Sequence, residues 1–348
     1  MDYRLFGRTG VQVSALALGT MNFGGRTPEA EAFALLDAAA THGINLIDTA
    51  DVYGHDPDDF AQGRGRSETI IGRYLRARGG RERWVLASKA HFPMSGDIND
   101  RGSSRRHLIT ACEASLRRLG TDYLDLYQLH HPSNEVPIDE TLRALDDLVR
   151  QGKVRYLGSS SFGAWQIVES LWVAKEYGLN RLVSEQPAYN LLDRRIEREL
   201  IPMAQTYGLA ILPWAPLAGG FLSGRYRPGQ AAPAAARLTS LWKNAPSHLT
   251  PEAFAVLAEV ERLAREKACT PSQIALAWCL AQPGVTAVLL GPRTLAHLED
   301  HLMCLRVQLT PADLERLDAV APPYRMTVPY SGVDGFAWVP WGPHRQRW

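Results

Sequence analysis

Eight times along this chain a short apolar run of strand character is followed by a helical stretch, and that alternation leaves few folds open. Strand patterns fall at 15–20, 45–50, 84–89, 124–130, 154–159, 182–186, 210–214 and 285–290. Helical patterns follow at 28–42, 67–78, 105–119, 139–151, 164–177 and 196–207, then at 252–268 with 272–281, and last at 295–304. Gly120, Gly152, Gly178 and Gly208 stand just past four of the helices, where a left-handed residue ends a helix without a Cβ clash. Thr27-Pro28 reads as a cap followed by Pro at the first helical position. Strands separated by helices run parallel and need helices on their outer face. Eight such units predict an α/β fold of the (β/α)8 TIM barrel type. The competing doubly wound open sheet needs a Gly-rich phosphate turn after its first strand. Leu18-Gly19-Thr20-Met21-Asn22-Phe23-Gly24 lacks that three-glycine spacing.

Four additions decorate the barrel. They are an N-terminal β-hairpin over 3–14 around Gly7-Arg8-Thr9-Gly10, an extra helix before the last strand, a helix at 312–320, and an aromatic-rich C-terminal tail at 322–348. One domain over 1–348 is expected, with the tail as an active-site or subunit-contact segment. The formal charge is only +1, so no basic field points to nucleic acid or an anionic membrane. No apolar stretch approaches the ~20 residues that span a bilayer, and the first residues lack the apolar core of a signal peptide. The four cysteines show no close pairing or zinc-ligand spacing, as expected of reduced thiols in a cytoplasmic protein.

On a barrel, chemistry gathers at the carboxyl ends of the strands. Asp48, Lys89 and His130 stand at three of those ends, and Tyr53 follows closely on Asp48. Singly, each has a bland reading as a turn carboxylate, a loop aromatic, a surface charge or a loop histidine. Together on one face they form a proton-handling set. A free phenol, with a pKa of about 10, is a sluggish acid near neutrality. An ammonium beside it stabilises the phenolate, and a carboxylate keeps that ammonium charged and aimed. An imidazole can polarise a carbonyl oxygen by hydrogen bonding, and His130 and His131 both offer one. A Schiff-base role for Lys89 fits poorly, because the neighbouring carboxylate keeps the amine protonated.

The string Gly43-Ile44-Asn45-Leu46-Ile47-Asp48-Thr49-Ala50-Asp51-Val52-Tyr53-Gly54 resembles the signature of the aldo-keto reductases. So, in order, do Ser67-Glu68, Ala87-Ser88-Lys89, Gly120-Thr121-Asp122-Tyr123-Leu124-Asp125-Leu126, Leu129-His130, Gly158-Ser159-Ser160-Ser161-Phe162, and Gln186 with Tyr189-Asn190. The resemblance reaches to about Leu309, and Asn99-Asp100-Arg101-Gly102-Ser103-Ser104-Arg105 resembles the bacterial and channel-β-subunit-like branch. It implies Tyr53 as general acid–base, Lys89 and Asp48 as its tuners, and His130, directly after Leu129, as the residue that orients the carbonyl. It implies a nicotinamide cofactor as hydride source, since no side chain supplies one.

By the same resemblance Gly19, Thr20, Met21 and Asp48 border that cofactor. Ser160, Ser161 and Gln186 hold its carboxamide, and Trp214 stacks on its ring. Ala215, Pro216, Leu217 and Gly219 cradle the pyrophosphate, with Arg225 and Arg237 near the phosphates. Gly291, Arg293, His297 and His301 receive the adenosine end. Arg293, at a helix start, can pair with a 2′-phosphate, so NADP is expected, with NADPH favoured over NADH. The chain departs from the family at His297 and His301, where Gln and Asn are common, and at Ser161, where Asn is common. These departures bear on the adenine contacts, one amide contact and the strength of the NADP preference.

The expected reaction is reversible reduction of an aldehyde or ketone to an alcohol. Phe23, Tyr53, His91 and His130 are the expected substrate contacts, joined by Phe92, Trp214, Tyr330, Phe336, Trp338 and Trp341. A small-molecule carbonyl is the expected partner, with self-association possible and no nucleic acid or membrane. The alternative is a cofactor-sensing regulatory subunit of a membrane transporter or channel. Regulatory relatives tend to carry Asn where this chain has His130.

Overall fold

The computed structural model describes residues 1–54, 62–230 and 249–327. β1 (Tyr3–Leu5) pairs antiparallel with β2 (Gln12–Ser14), forming the expected hairpin. Eight parallel strands follow: β3 (Leu16–Gly19), β4 (Leu46–Asp48), β5 (Val85–Ala90), β6 (Leu124–Leu129), β7 (Val154–Ser160), β8 (Leu182–Gln186), β9 (Ala210–Ile211) and β10 (Val288–Leu290). β10 pairs with β3, and the order then follows the chain to β9. Closure comes from a parallel bridge between Ile211 and Val285 and from the Thr286 and Leu289 amides donating to Ile211 O and Pro213 O at 2.8 and 3.0 Å. The sheet is a (β/α)8 barrel.

Helices α1 (Glu29–Thr41), α2 (Arg66–Arg78), α3 (Arg105–Leu119), α4 (Ile138–Arg150), α5 (Ala164–Tyr177) and α6 (Leu200–Tyr207) follow successive strands. α7 (Pro251–Glu266) and α8 (Pro271–Ala281) precede β10, and α9 (Leu295–Leu302) and α10 (Pro311–Val320) come after it. The hydroxyls of Ser104, Thr250, Thr270, Thr294 and Thr310 each cap a helix start by accepting an amide three residues on. Thr27 does not cap α1. Pro28 takes the cap position, and the Thr27 hydroxyl donates to Arg293 O at 3.1 Å, tying the loop after β3 to the loop after β10.

Strand parity sorts the side chains. Ala17, Leu46, Ala87, Leu126, Ala210, Leu212, Ala287 and Leu289 form a buried cluster inside the barrel. Phe6 and Val13 join it from the hairpin, which precedes β3 and so closes the amino end. Alternate residues such as Leu18, Ile47, Leu86, Tyr127, Leu157 and Val288 pack outward against the helices. Gly158 points inward where a Cβ would overlap Ser184 Oγ and press on Gln128 and Leu126 at 3.1 and 3.2 Å. Gly158→Ala is therefore expected to lower stability by about 1–3 kcal/mol through overpacking. A denaturant midpoint equal to that of the parent would show that the interior relaxes freely around the new methyl.

Three element boundaries differ from the sequence pattern by three residues or more. The seventh strand stops at Ile211 rather than 214, because Pro213 has no amide for the ladder. The last strand starts at Val288, with Val285 left as an isolated bridge. The helix expected over 196–207 splits into a 3-10 turn, Arg195–Glu197, and α6. Side chains draw that segment aside: the Arg194 guanidinium donates to Glu197, Asp318 and Ala321 O. The tail begins against the loop after β8. Arg194 N donates to Arg325 O and Thr327 N to Leu192 O, both at 2.8 Å. Tyr330, Phe336, Trp338, Trp341 and Arg237 lie outside the described residues.

Candidate active site

Inward parity brings Asp48, Lys89, Gln128, Ser160 and Gln186 together at the carboxyl ends of β4 to β8. Lys89 is completely buried, and its ammonium donates to Asp48 Oδ1 at 2.6 Å, Thr49 O at 2.9 Å and Tyr53 Oη at 3.1 Å. All three ammonium protons are thereby used. Burial alone would pull the Lys89 pKa down; the Asp48 carboxylate, Tyr53 and their hydrogen bonds outweigh it and leave it above the ordinary lysine value. The second Asp48 oxygen accepts from Gln186 Nε2 at 2.8 Å and Gln128 Nε2 at 3.1 Å. Because the Gln186 amide nitrogen is committed to Asp48, its oxygen is left to accept from whatever enters the cavity.

His130 follows β6 and packs edge-on to Tyr53, ring centroids 5.5 Å apart. Burial, then the Lys89 ammonium, then His91 and His131 hold its pKa well below the ordinary imidazole value, so the ring is neutral. A neutral imidazole still donates one N–H, as a carbonyl-polarising group must. His131 packs instead on His91 and Phe92, with Nδ1 3.3 Å from Pro132 O. The geometry therefore brings His130, rather than its neighbour, against the phenol.

A cavity of about 1190 Å³ opens over this cluster. Its walls include Tyr53, His130, Ser160, Ser161, Gln186 and Trp214 near the cluster, and Arg225, Gly291, Arg293, His297 and His301 at the far end. Gly19, Thr20, Met21, Asp48, Ala215, Pro216, Leu217 and Gly219 also border it. Between the two ends, Ala215, Ala218, Gly219 and Gly220 all adopt positive φ, bending the backbone into a shallow cradle. Thr20 is a wall residue whose hydroxyl is already spent on Asp48 O at 2.9 Å. The Ser160 hydroxyl donates to Gln186 O at 2.9 Å, leaving an acceptor toward the cavity.

Two expected substrate contacts are corrected. Phe23 is fully buried in the core between sheet and helices and does not border the cavity. Its position after β3 turns it away from the mouth, its amide held by Thr20 O at 2.9 Å. His91 stands behind Phe92 and His131, with Nδ1 3.2 Å from Ser103 Oγ, and also stays off the cavity wall. Val52, Phe92, His131 and Trp165 border the mouth in their place. The conspicuous motif residues outside the cluster are structural braces. Glu68 accepts from Ser88 Oγ at 2.5 Å and Arg118 Nε at 2.6 Å, while Asn190 Nδ2 donates to Ala215 O at 3.1 Å.

Sequence reasoning missed Gln128 and Glu185. Gln128 was legible from parity, since it is two residues before His130 on the same strand face. Glu185 faces the other way and is fully buried, accepting from Ser159 Oγ at 2.5 Å and Phe162 N at 3.0 Å. It clamps the turn that carries Ser160 and Ser161, the latter at φ 61°. Burial pushes the Glu185 carboxyl up from 4.5 to about 8, against the pull of its hydrogen bonds. A carboxyl raised in the folded state contributes stability below its unfolded value and loses it as pH rises through the folded one. Stability should therefore decline between 4.5 and about 8, by at most about 1.4 kcal/mol per pH unit from this group. Glu185→Gln should flatten that decline in melting curves recorded across the window; an unaltered slope would assign it to other groups.

The closed parallel barrel is the fold of the aldo/keto reductases. The chain belongs to the aldo/keto reductase family, whose model matches residues 15–322, and is an oxidoreductase of that type. It is 40% identical over 333 residues to "Uncharacterized oxidoreductase YrpG" of Bacillus subtilis, covering 92% of this chain and 96% of that protein. It is 35% identical to "Probable voltage-gated potassium channel subunit beta" of Oryza sativa, covering 92% and 96%. To "Versiconal hemiacetal acetate reductase" of Aspergillus parasiticus it is 33% identical, covering 91% and 96%.

Proposed function

We propose that this protein reduces an aldehyde or ketone to an alcohol with NADPH, reversibly, using Tyr53 as the general acid. The observation that carries the reading is the buried Asp48–Lys89–Tyr53 chain opening into a cavity with Arg225 and Arg293 toward its other end. A nicotinamide dinucleotide fits the donor set. Ser160 Oγ and Gln186 Oε1 offer acceptors for a carboxamide NH2, Trp214 offers a ring face, and Arg225 and Arg293 offer charge to phosphates. When bound, the cofactor supplies hydride.

The chain's own residues handle the proton and the oxygen. His130 donates its neutral N–H to the carbonyl oxygen and fixes where that oxygen sits. Tyr53 gives the oxygen its proton as negative charge develops there. The ammonium of Lys89, 3.1 Å away, stabilises the phenolate left behind. Asp48 keeps that ammonium charged and aimed. Val52, Phe92 and Trp165 at the mouth support a largely apolar carbonyl substrate.

Four free cysteines support a reducing, cytoplasmic setting, and no helix among the described residues is long and apolar enough to cross a membrane. The test is an NADPH fluorescence titration followed by an absorbance screen over aromatic aldehydes, dicarbonyls, ring ketones and sugars. Saturable binding with oxidation on at least one carbonyl is expected. Tight binding with no oxidation across the panel would favour a cofactor-sensing subunit, the second reading that the channel-subunit relative keeps open.

A further inference from the structure

At the far end of the cavity two histidines stand one helical turn apart. His297 and His301 share a face of α9, their rings stacked with centroids 6.4 Å apart and planes 11° from parallel. Both border the cavity, and His301 is buried with an Nδ1 that has no hydrogen-bond partner among the described residues. Thr294 caps the helix by accepting from His297 N at 3.3 Å, which fixes the first turn beneath the rings. Arg293 and Arg225 border the same corner and oppose positive charge on His297.

Among the described residues, Asp300, Glu31 and Cys304 of this corner are each engaged or buried. Asp300 accepts from Thr270 Oγ1 at 3.0 Å and Gln273 Nε2 at 2.7 Å, from the start of α8. Glu31 of α1 accepts from Leu295 N at 2.6 Å. Cys304 lies buried just past the helix.

We propose that His297, stacked on His301 and flanked by Arg293 and Arg225, completes a 2′-phosphate clamp whose preference for NADPH over NADH strengthens as pH falls. This inference rests on the cofactor reading above. Its physical basis is a mutual cancellation. Burial and then the Arg293 and Arg225 guanidinium groups hold the His297 pKa below the ordinary imidazole value. A phosphate arriving between them neutralises the guanidinium field and adds its own attraction for a proton on the imidazole. Phosphate and proton therefore bind cooperatively, each raising the affinity for the other by the same factor. NADH brings a hydroxyl to this corner and no such charge. The phosphate itself gains charge as pH rises through about 6, which works in the opposite direction. The imidazole contribution is accordingly read as the difference between parent and variant.

The experiment measures dissociation constants of NADPH and NADH by fluorescence titration on the full chain, from about pH 6 to about pH 8.5, across the ordinary imidazole range. The variants are His297→Asn and His301→Asn, each checked for a parent-like melting curve. The parent's NADPH-to-NADH affinity ratio should fall with rising pH relative to His297→Asn, by about tenfold for each unit by which the phosphate raises the imidazole. Calorimetry in two buffers of different ionisation enthalpy should show extra proton uptake when the parent binds NADPH, reduced in His297→Asn. Superimposable pH profiles of the ratio in parent and variant would overturn the clamp while leaving the cofactor reading intact. Failure of the parent to bind either dinucleotide would bring down the cofactor reading itself. If the variants do not fold, proton uptake is compared for adenosine 2′,5′-bisphosphate and adenosine 5′-monophosphate on the parent. Equal uptake for the two overturns the proposal.

Discussion

Tyr53→Phe should lower turnover with any accepted carbonyl by about 10²–10⁴-fold, the range that a positioned general acid contributes. The substitution removes one oxygen and leaves the ring against His130. It also leaves one Lys89 proton without its acceptor at 3.1 Å, while Asp48 and Thr49 still hold the other two. The ion pair should survive, and the cavity walls that would receive a dinucleotide are unchanged. NADPH affinity should then stay within a few-fold of the parent while single-turnover reduction collapses. Undiminished reduction in the variant would remove Tyr53 from the chemistry and, with it, the central claim about the site. A parallel loss of affinity and turnover would indicate collapse of the pocket, and a melting curve distinguishes that case.

Lys89→Met should be costly in a different way. The ammonium is fully buried, and its removal leaves the Asp48 carboxylate facing only the amides of Gln128 and Gln186. Breaking one side of a buried pair typically costs about 3–5 kcal/mol, because the remaining charge is uncompensated. A large drop in denaturant midpoint is expected, together with a loss of turnover at least as large as that of Tyr53→Phe. The double variant Asp48→Asn with Lys89→Met separates the two effects. Removing both charges should recover much of the stability, since an uncharged pair of similar size no longer requires desolvation of an ion. Turnover should stay low, because no cation remains beside the phenol. Recovery of both quantities together would mean that Lys89 acts through folding alone.

Much of this molecule was legible from local pattern. The eight strand–helix alternations required a parallel sheet whose faces are both covered, and eight such units lead to closure. Parity along the strand at 124–130 placed Gln128 beside His130, although only the histidine drew notice. Phe23 and His91 misled for a shared reason: an aromatic or imidazole just past a strand end can turn into the mouth or away from it. Backbone hydrogen bonds within the loop itself decide which: Phe23 N donates to Thr20 O, and Gly102 N donates to His91 O. Thr27 misled because its hydroxyl found Arg293 O, 266 residues away in sequence, before it could cap α1. Glu185 carried no local signal at all. An ionisable residue in a strand is normally read as solvent-facing, and only the neighbouring strand and the turn after it supply the partners that let it be buried.

By itself the sequence determined which residue types lie at the carboxyl ends of which strands, because periodicity and chain direction fix that without any knowledge of the third dimension. Tertiary structure alone decided which of those residues touch. Three ammonium bonds of Lys89, the choice of His130 over His131 beside the phenol, and the placing of Arg225 beside His297 all depend on distances between segments far apart in the chain. Charge and hydrogen bonding act through space over a few ångströms. The closed barrel, which brings the ends of eight separated strands into one ring, converts a list of polar residues into a site.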